Sequence, residues 1–196
     1  MIVLGLTGSI GMGKSTTAGF FREADLPVWD ADAAVHRLYA AGGAGVAAIG
    51  ALAPEAIADG AVDRAALRLA IQADPSLLPR IEAAIHPLVA QDRAAFLARA
   101  RHAGAALAVC DIPLLFETGG AEVVDKVLVV TAPAEVQRAR VLARPGMTEA
   151  MFNKILARQM PDAEKRARAD FIIDTSLGMD AARQAVQGVI DVASRL

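Results

Sequence analysis

Gly8-Ser9-Ile10-Gly11-Met12-Gly13-Lys14-Ser15 follows an apolar run, Ile2-Val3-Leu4-Gly5-Leu6, and leads into Ser15–Ala24, which reads as a helix. The octapeptide fits the pattern G-x-x-x-x-G-K-[ST]. A buried strand, a glycine loop and a helix N-terminus in that order make an anion site, because unpaired backbone N–H groups and the helix dipole converge on it. Gly11 and Gly13 let the backbone close around phosphate oxygens. Lys14 is then expected to reach the β- and γ-phosphates of a nucleoside triphosphate, and the Ser15 hydroxyl to hold Mg²⁺. Lys14 is also the only lysine before Lys126 in a chain that otherwise prefers arginine. A compact ammonium on a flexible stem suits a phosphate loop, and a guanidinium is not equivalent to it.

The chain has 196 residues, enough for one domain with an insertion. Hydrophobic residues make up 55%, which supplies a full core although aromatics are only 4%. The single cysteine, Cys110, allows no internal disulfide and suits a reducing compartment. No charged n-region precedes the first apolar stretch, and the longest uncharged run, Leu38–Pro54, is mostly Ala and Gly. It is too short for a membrane span and reads as a buried or hinge segment. A cytoplasmic protein with no membrane partner is expected. A net charge of −2 argues against a general nucleic-acid binder. Charge is nonetheless uneven: between Arg138 and Arg168 stand eight basic residues and three acidic ones. That stretch is either a solvated helix face or a clamp for polyphosphate.

Apolar runs at Ile2–Leu6, Pro27–Trp29, Leu107–Cys110, Val127–Val130 and Phe171–Ile173 alternate with helical patterns, which predicts a parallel sheet covered by helices. In such sheets ligands lie beyond the carboxyl ends of the strands. There the sequence puts the phosphate loop, Asp30 with Asp32, Asp111, Thr131-Ala132-Pro133, and Asp174 with Thr175. The interval Ala33–Arg101 breaks the alternation, with helical patterns at Arg64–Ala73 and Leu77–Ala98. It reads as a helical insertion over residues 33–101 that covers an acceptor. Ala134–Arg144 reads as a helix ended by Pro145-Gly146, and Thr148 as the cap of another that stops near Pro161. Arg140 and Arg144 share one helix face. The basic region 138–165 is expected to act as a lid that closes over ATP.

Phosphoryl transfer needs positioning, charge neutralisation and an oriented acceptor. Lys14 and Arg140 are the candidate charge stabilisers. Gly11, Met12, Gly13, Lys14, Ser15, Thr16, Arg140 and Arg144 make up the expected ATP site. Asp32 is the candidate general base; it also reads as the N-cap of a helix beginning near Ala33, and both roles are compatible. Asp30 supports the turn or orients its neighbour. Asp111 reads either as a carboxylate for Mg²⁺ or as a strand-end residue bonding to loop amides. His86-Pro87 is a polar contact to substrate or a helix-ending pair.

Together these motifs resemble the dephospho-CoA kinase family over nearly the full chain. The resemblance rests on Leu6–Thr16, on Asp30-Ala31-Asp32, on Val62-Asp63-Arg64-Ala65-Ala66-Leu67 and on His86-Pro87-Leu88-Val89. It continues through Pro113-Leu114-Leu115-Phe116-Glu117, Gln137 with Arg140 and Arg144, Gln159-Met160-Pro161 and Lys165–Asp170. The resemblance implies a three-layer P-loop kinase fold with a five-stranded parallel sheet, a helical coenzyme-binding part and a helical lid within one domain, 1–196. It further implies that Asp32 deprotonates the ribose 3′-hydroxyl of dephospho-CoA, which attacks the γ-phosphate of ATP. Thr7, Asp32, His86 and Glu117 would lie near that acceptor. A monomer or weak homo-oligomer is expected. The chain departs from the family pattern at Ser9, Met12, Pro145 and Thr175, where glycine, serine, aspartate and asparagine are usual. Members with an apolar residue at the Asp111 position weaken Asp111 as a metal ligand.

Two other readings share the loop. A kinase for shikimate or gluconate lacks support from a mid-chain arginine-glycine-glycine signature, which is missing here. A non-catalytic nucleotide switch would carry an Asn-Lys-x-Asp guanine reader. The nearest match, Asn153-Lys154-Ile155-Leu156, lacks the aspartate, and Leu114 stands where an Asp-x-x-Gly beginning at Asp111 would need glycine.

Overall fold

The computed structural model describes residues 1–195. The chain opens with β1 (Ile2–Thr7), α1 (Lys14–Glu23) and β2 (Val28–Asp30), then passes through α2 (Ala31–Tyr39) and α3 (Ala44–Leu52). A small hairpin, β3 (Ile57–Ala58) and β4 (Ala61–Val62), precedes α4 (Arg64–Ala73) and the long α5 (Leu77–His102). The remainder alternates: β5 (Leu107–Asp111), β6 (Lys126–Thr131), α6 (Ala134–Leu142), α7 (Glu149–Leu156), α8 (Asp162–Ala167), β7 (Phe171–Asp174) and α9 (Met179–Ala193).

The chain divides into two compact units, one comprising Met1–Trp29 with Ala100–Leu196 and the other Asp30–Arg99. The first holds the five-stranded parallel sheet, ordered β2-β5-β1-β6-β7. β1 lies between β5 and β6, with Leu4 opposite Val109 and Leu6 opposite Leu128, and β6 pairs β7 with Val130 opposite Ile173. β5 is buried throughout and β1 from Val3 onward. Strands covered on both faces have no reason to alternate, hence the near-continuous apolar runs of the sequence. Their side chains join Phe20 and Phe21 of α1 and Val186 and Val189 of α9 in one core. The phosphate loop leaves the central strand where the sheet order reverses, the usual crevice for ligands in open α/β sheets.

The second unit has its own core of Leu38, Ile49, Val62, Leu67, Leu77, Ile81 and Ile85. Three expectations are settled here. Asp30, not Asp32, caps α2: its Oδ1 accepts from the Ala33 N–H at 2.9 Å, and Asp32 stands in the first helical turn. Pro87 lies inside α5, in keeping with the helical pattern over Leu77–Ala98, so His86-Pro87 is not a helix-ending pair; buried Ile81 and Ile85 hold the preceding turns. The uncharged run does hold a buried segment, for α3 forms within it and buries Gly45 and Ile49. Farther on, the helix capped by Thr148 stops at Leu156, short of Pro161, and α8 begins afterwards at Asp162. Among the described residues no helix is long and apolar enough to cross a membrane.

Candidate active site

The turn between β1 and α1 is shaped by two glycines. Gly11 and Gly13 have φ of 79° and 86°, the left-handed region that side-chain-bearing residues avoid. A Cβ on Gly11 would also stand 2.5 Å from Val141 Cγ2 and 3.0 Å from the Gln137 carbonyl oxygen. Gly13 is the N-cap of α1, which has no side-chain cap and no acidic residue in its first turn. The helix therefore presents unpaired N–H groups and the positive end of its dipole with no internal anion to satisfy them. Ser15 and Thr16 are exposed on that first turn, whereas Met12 turns its side chain into the core.

Beside the loop lies a cavity of about 320 Å³ lined by Gly11, Gly13, Thr16, Arg140, Arg144 and Thr175, among others. The structure thus brings Arg140 of α6 and Arg144, just past its end, into the cavity beside the phosphate loop. Arg140 donates from Nη1 to Thr175 Oγ1 and from Nη2 to the Thr175 carbonyl, both at 2.8 Å. Thr175 Oγ1 is also 3.0 Å from the Met12 carbonyl oxygen. Thr175 is therefore a junction between the loop and α6. Its identity hinted at this only through its place past the end of β7.

Lys14 Nζ contacts Asp111 Oδ1 at 2.5 Å, and Asp111 is 2% exposed. The strand-end aspartate thus holds the phosphate-loop lysine rather than loop amides alone. Thr7, fully buried at the end of β1, donates to the Pro113 carbonyl at 3.1 Å. Glu117 Oε1 lies 2.8 Å from Lys165 Nζ in an ion pair and accepts from the Met160 N–H at 2.8 Å. Burial pushes the Glu117 carboxyl up, but the Lys165 ammonium and the Met160 amide outweigh it and hold it below the usual carboxylate range. Arg168 lies over the Phe116 ring at 6.0 Å. The Pro113–Glu117 and Gln159–Asp170 segments, the two most distinctive motifs, therefore grip each other.

The basic stretch divides by role. Arg138 pairs with Glu149, Arg166 with Asp162, and Lys165 with Glu117, while Arg140 and Arg144 line the cavity. Lys165, with 0% exposure, could not be told from a surface lysine in the sequence. Asp32 and His86 belong to the other unit, and both are exposed. Among the described residues no group of three or more His, Cys, Asp or Glu side chains is arranged to hold a metal.

A family model described as dephospho-CoA kinase matches residues 2–180. The chain belongs to the dephospho-CoA kinase family. It is 63% identical over 193 residues to a dephospho-CoA kinase of Mesorhizobium japonicum, spanning 97% of this chain and 96% of that protein. Among solved structures it is similar to a Thermus thermophilus protein, with TM-score 0.83, 35% identity and 97% of both chains covered. The fold is also that of a dephospho-CoA kinase from Campylobacter jejuni, with TM-score 0.72, 24% identity, and 98% and 97% of the two chains covered. This dephospho-CoA kinase family member is a kinase by membership, and its sheet and loop are those of a P-loop kinase.

Proposed function

We propose that this chain transfers the γ-phosphoryl group of ATP to the ribose 3′-hydroxyl of dephospho-CoA, giving coenzyme A and ADP. The observation that carries the reading is the family match over residues 2–180, which includes an uncapped, glycine-shaped anion site at α1. In the proposed reaction the acceptor O3′ loses its proton to the Asp32 carboxylate and forms a bond to Pγ. The bond from Pγ to the β,γ-bridging oxygen breaks, and ADP leaves with that oxygen. Lys14 and Arg140 offset the charge that gathers on the phosphoryl oxygens. Arg144 and the amides of Gly11–Thr16 hold the nucleotide. Thr7, His86 and Glu117 are the proposed acceptor-side residues beside Asp32, Glu117 acting with its Lys165 partner.

The donors on offer near the phosphates are hard oxygens, which suits Mg²⁺ more than a softer metal. The Ser15 hydroxyl, exposed on the first turn of α1, would hold it together with phosphate oxygens and water. When bound, Mg²⁺ supplies charge neutralisation across the β- and γ-phosphates. Region 138–165 is proposed to move as a lid and region 33–101 to bind the coenzyme acceptor. A cytoplasmic location fits the single buried cysteine, and a monomer or weak homo-oligomer is proposed with it.

An acceptor panel with ATP and Mg²⁺ tests this reading: dephospho-CoA, shikimate, gluconate, nucleosides and water. Dephospho-CoA should be turned over at least a hundredfold better, by kcat/KM, than any other. Preference for shikimate or gluconate would replace the reading with that of a different small-metabolite kinase.

A further inference from the structure

Ile10 lies in the phosphate loop, and both of its backbone polar groups are taken by glutamine side chains. Gln159 Oε1 accepts from the Ile10 N–H at 3.0 Å. Gln137 Nε2 donates to the Ile10 carbonyl at 2.7 Å. The partners are main-chain groups of fixed polarity, so each amide has only one workable orientation. Gln137 is 5% exposed on α6, one turn before Arg140. Gln159 sits in the connection between α7 and α8, beside Met160, whose N–H is held by Glu117.

A trans peptide is planar, with its C=O and N–H pointing in opposite directions. Holding the Ile10 carbonyl therefore aims the Gly11 N–H away from Gln137. Holding the Ile10 N–H aims the Ser9 carbonyl away from Gln159, and that carbonyl accepts from the Met12 N–H at 3.1 Å. Two successive peptides of the loop are thus set from outside, by residues on either side of α7. Gly11, whose φ of 79° leaves its backbone little intrinsic restraint, is the residue this arrangement steadies.

We propose that Gln137 and Gln159 are paired positioning residues that hold the Ile10 peptides so that the phosphate loop is pre-formed for the nucleotide. The clamp also ties the loop to the α7–α8 connection, so displacement of that connection releases one of its two bonds. The proposal rests on the kinase reading but is tested without the acceptor. ATP affinity is measured by calorimetry on the full chain, with thermal unfolding recorded for each variant.

Gln159→Leu, which removes the hydrogen-bond acceptor, should weaken ATP binding roughly tenfold. Gln159→Glu keeps an acceptor for an N–H, whereas Gln137→Glu sets a carboxylate against a carbonyl. Both bring one negative charge to the same residue, so the difference between them reports hydrogen-bond polarity. Gln137→Glu should bind ATP at least tenfold more weakly than Gln159→Glu. If Gln137→Glu does not fold, the decision passes to position 159, where Glu must bind ATP more tightly than Leu. Equal affinities for the folded glutamate variants, or wild-type ATP affinity in Gln159→Leu, would overturn the proposal. A wild-type protein that binds ATP but leaves dephospho-CoA unphosphorylated would sink the functional reading and leave this test intact.

Discussion

Lys14 Nζ lies 2.5 Å from Asp111 Oδ1, so the lysine that is to meet the nucleotide phosphates is held by a carboxylate at the end of the neighbouring strand β5. The two partners are unequally covered: the side chains are 17% and 2% exposed, respectively. Removing Lys14 takes the ammonium away from a deeply buried carboxylate, while removing the Asp111 charge leaves an ammonium that can turn toward water. Lys14→Met is therefore expected to cost about 3 kcal/mol of folding stability and Asp111→Asn about 1 kcal/mol. Urea unfolding of the two variants measures this, and equal losses would show that burial does not set the asymmetry. Turnover should collapse in Lys14→Met, by on the order of 10³-fold.

Asp30 and Asp32, two residues apart, are expected to separate stability from chemistry. Asp30 accepts from the Ala33 N–H and caps α2. Asp30→Ala should lower stability by about 1 kcal/mol. Asp32 is exposed in the first turn and is not the cap. Asp32→Asn should unfold like the wild type and bind ATP normally, yet lose on the order of 10²- to 10⁴-fold in kcat. Near-normal kcat in that variant would remove Asp32 from the mechanism.

The Glu117–Lys165 pair gives a pH prediction. The Glu117 carboxyl is held below its ordinary 4.5 in the folded protein. Its contribution to stability is therefore fully present above about 4.5 and is lost as pH falls through the lower folded value. Glu117→Gln should flatten the decline in Tm below about pH 4.5. Lys165→Met leaves Glu117, whose side chain is 15% exposed, without its ammonium and should cost about 1 kcal/mol at neutral pH. A wild-type slope of Tm against pH in Glu117→Gln would contradict this assignment.

At the Arg140–Thr175 junction the guanidinium makes two directed hydrogen bonds, to a hydroxyl and to a carbonyl. A lysine cannot reproduce that fork. Arg140→Lys is expected to lose on the order of 10²-fold in kcat. Thr175→Val, which keeps the shape and removes only the hydroxyl, should cost about 1 kcal/mol of stability and only a few-fold in kcat. Steady-state kinetics beside thermal unfolding separates the two effects.

The parts legible in the sequence were those governed by local pattern. The five strands read correctly because parallel strands covered on both faces are continuous apolar runs. The phosphate loop read correctly because its glycines, lysine and flanking elements are contiguous. α3 escaped notice because Ala44-Gly45-Val46-Ala47-Ala48-Ile49 has no polar face to set a helical period. The helix-ending alternative for His86-Pro87 fails because packing of Ile81 and Ile85 carries α5 through the proline. Lys165 looked like surface charge because Glu117, the partner that allows its burial, is far away in the chain. The Asp30–Asp32 capping assignment turned on a two-residue difference in where α2 begins, finer than sequence pattern resolves.

The account stands most directly on where the phosphate goes. Wild-type protein, dephospho-CoA and ATP labelled at the γ-phosphate should be incubated with Mg²⁺, and the product examined by phosphorus NMR and mass spectrometry. The account predicts coenzyme A carrying the label on the ribose 3′-oxygen, with one ADP formed for each. Label on the 2′-oxygen, or ATP consumed to free phosphate with dephospho-CoA unchanged, would contradict it.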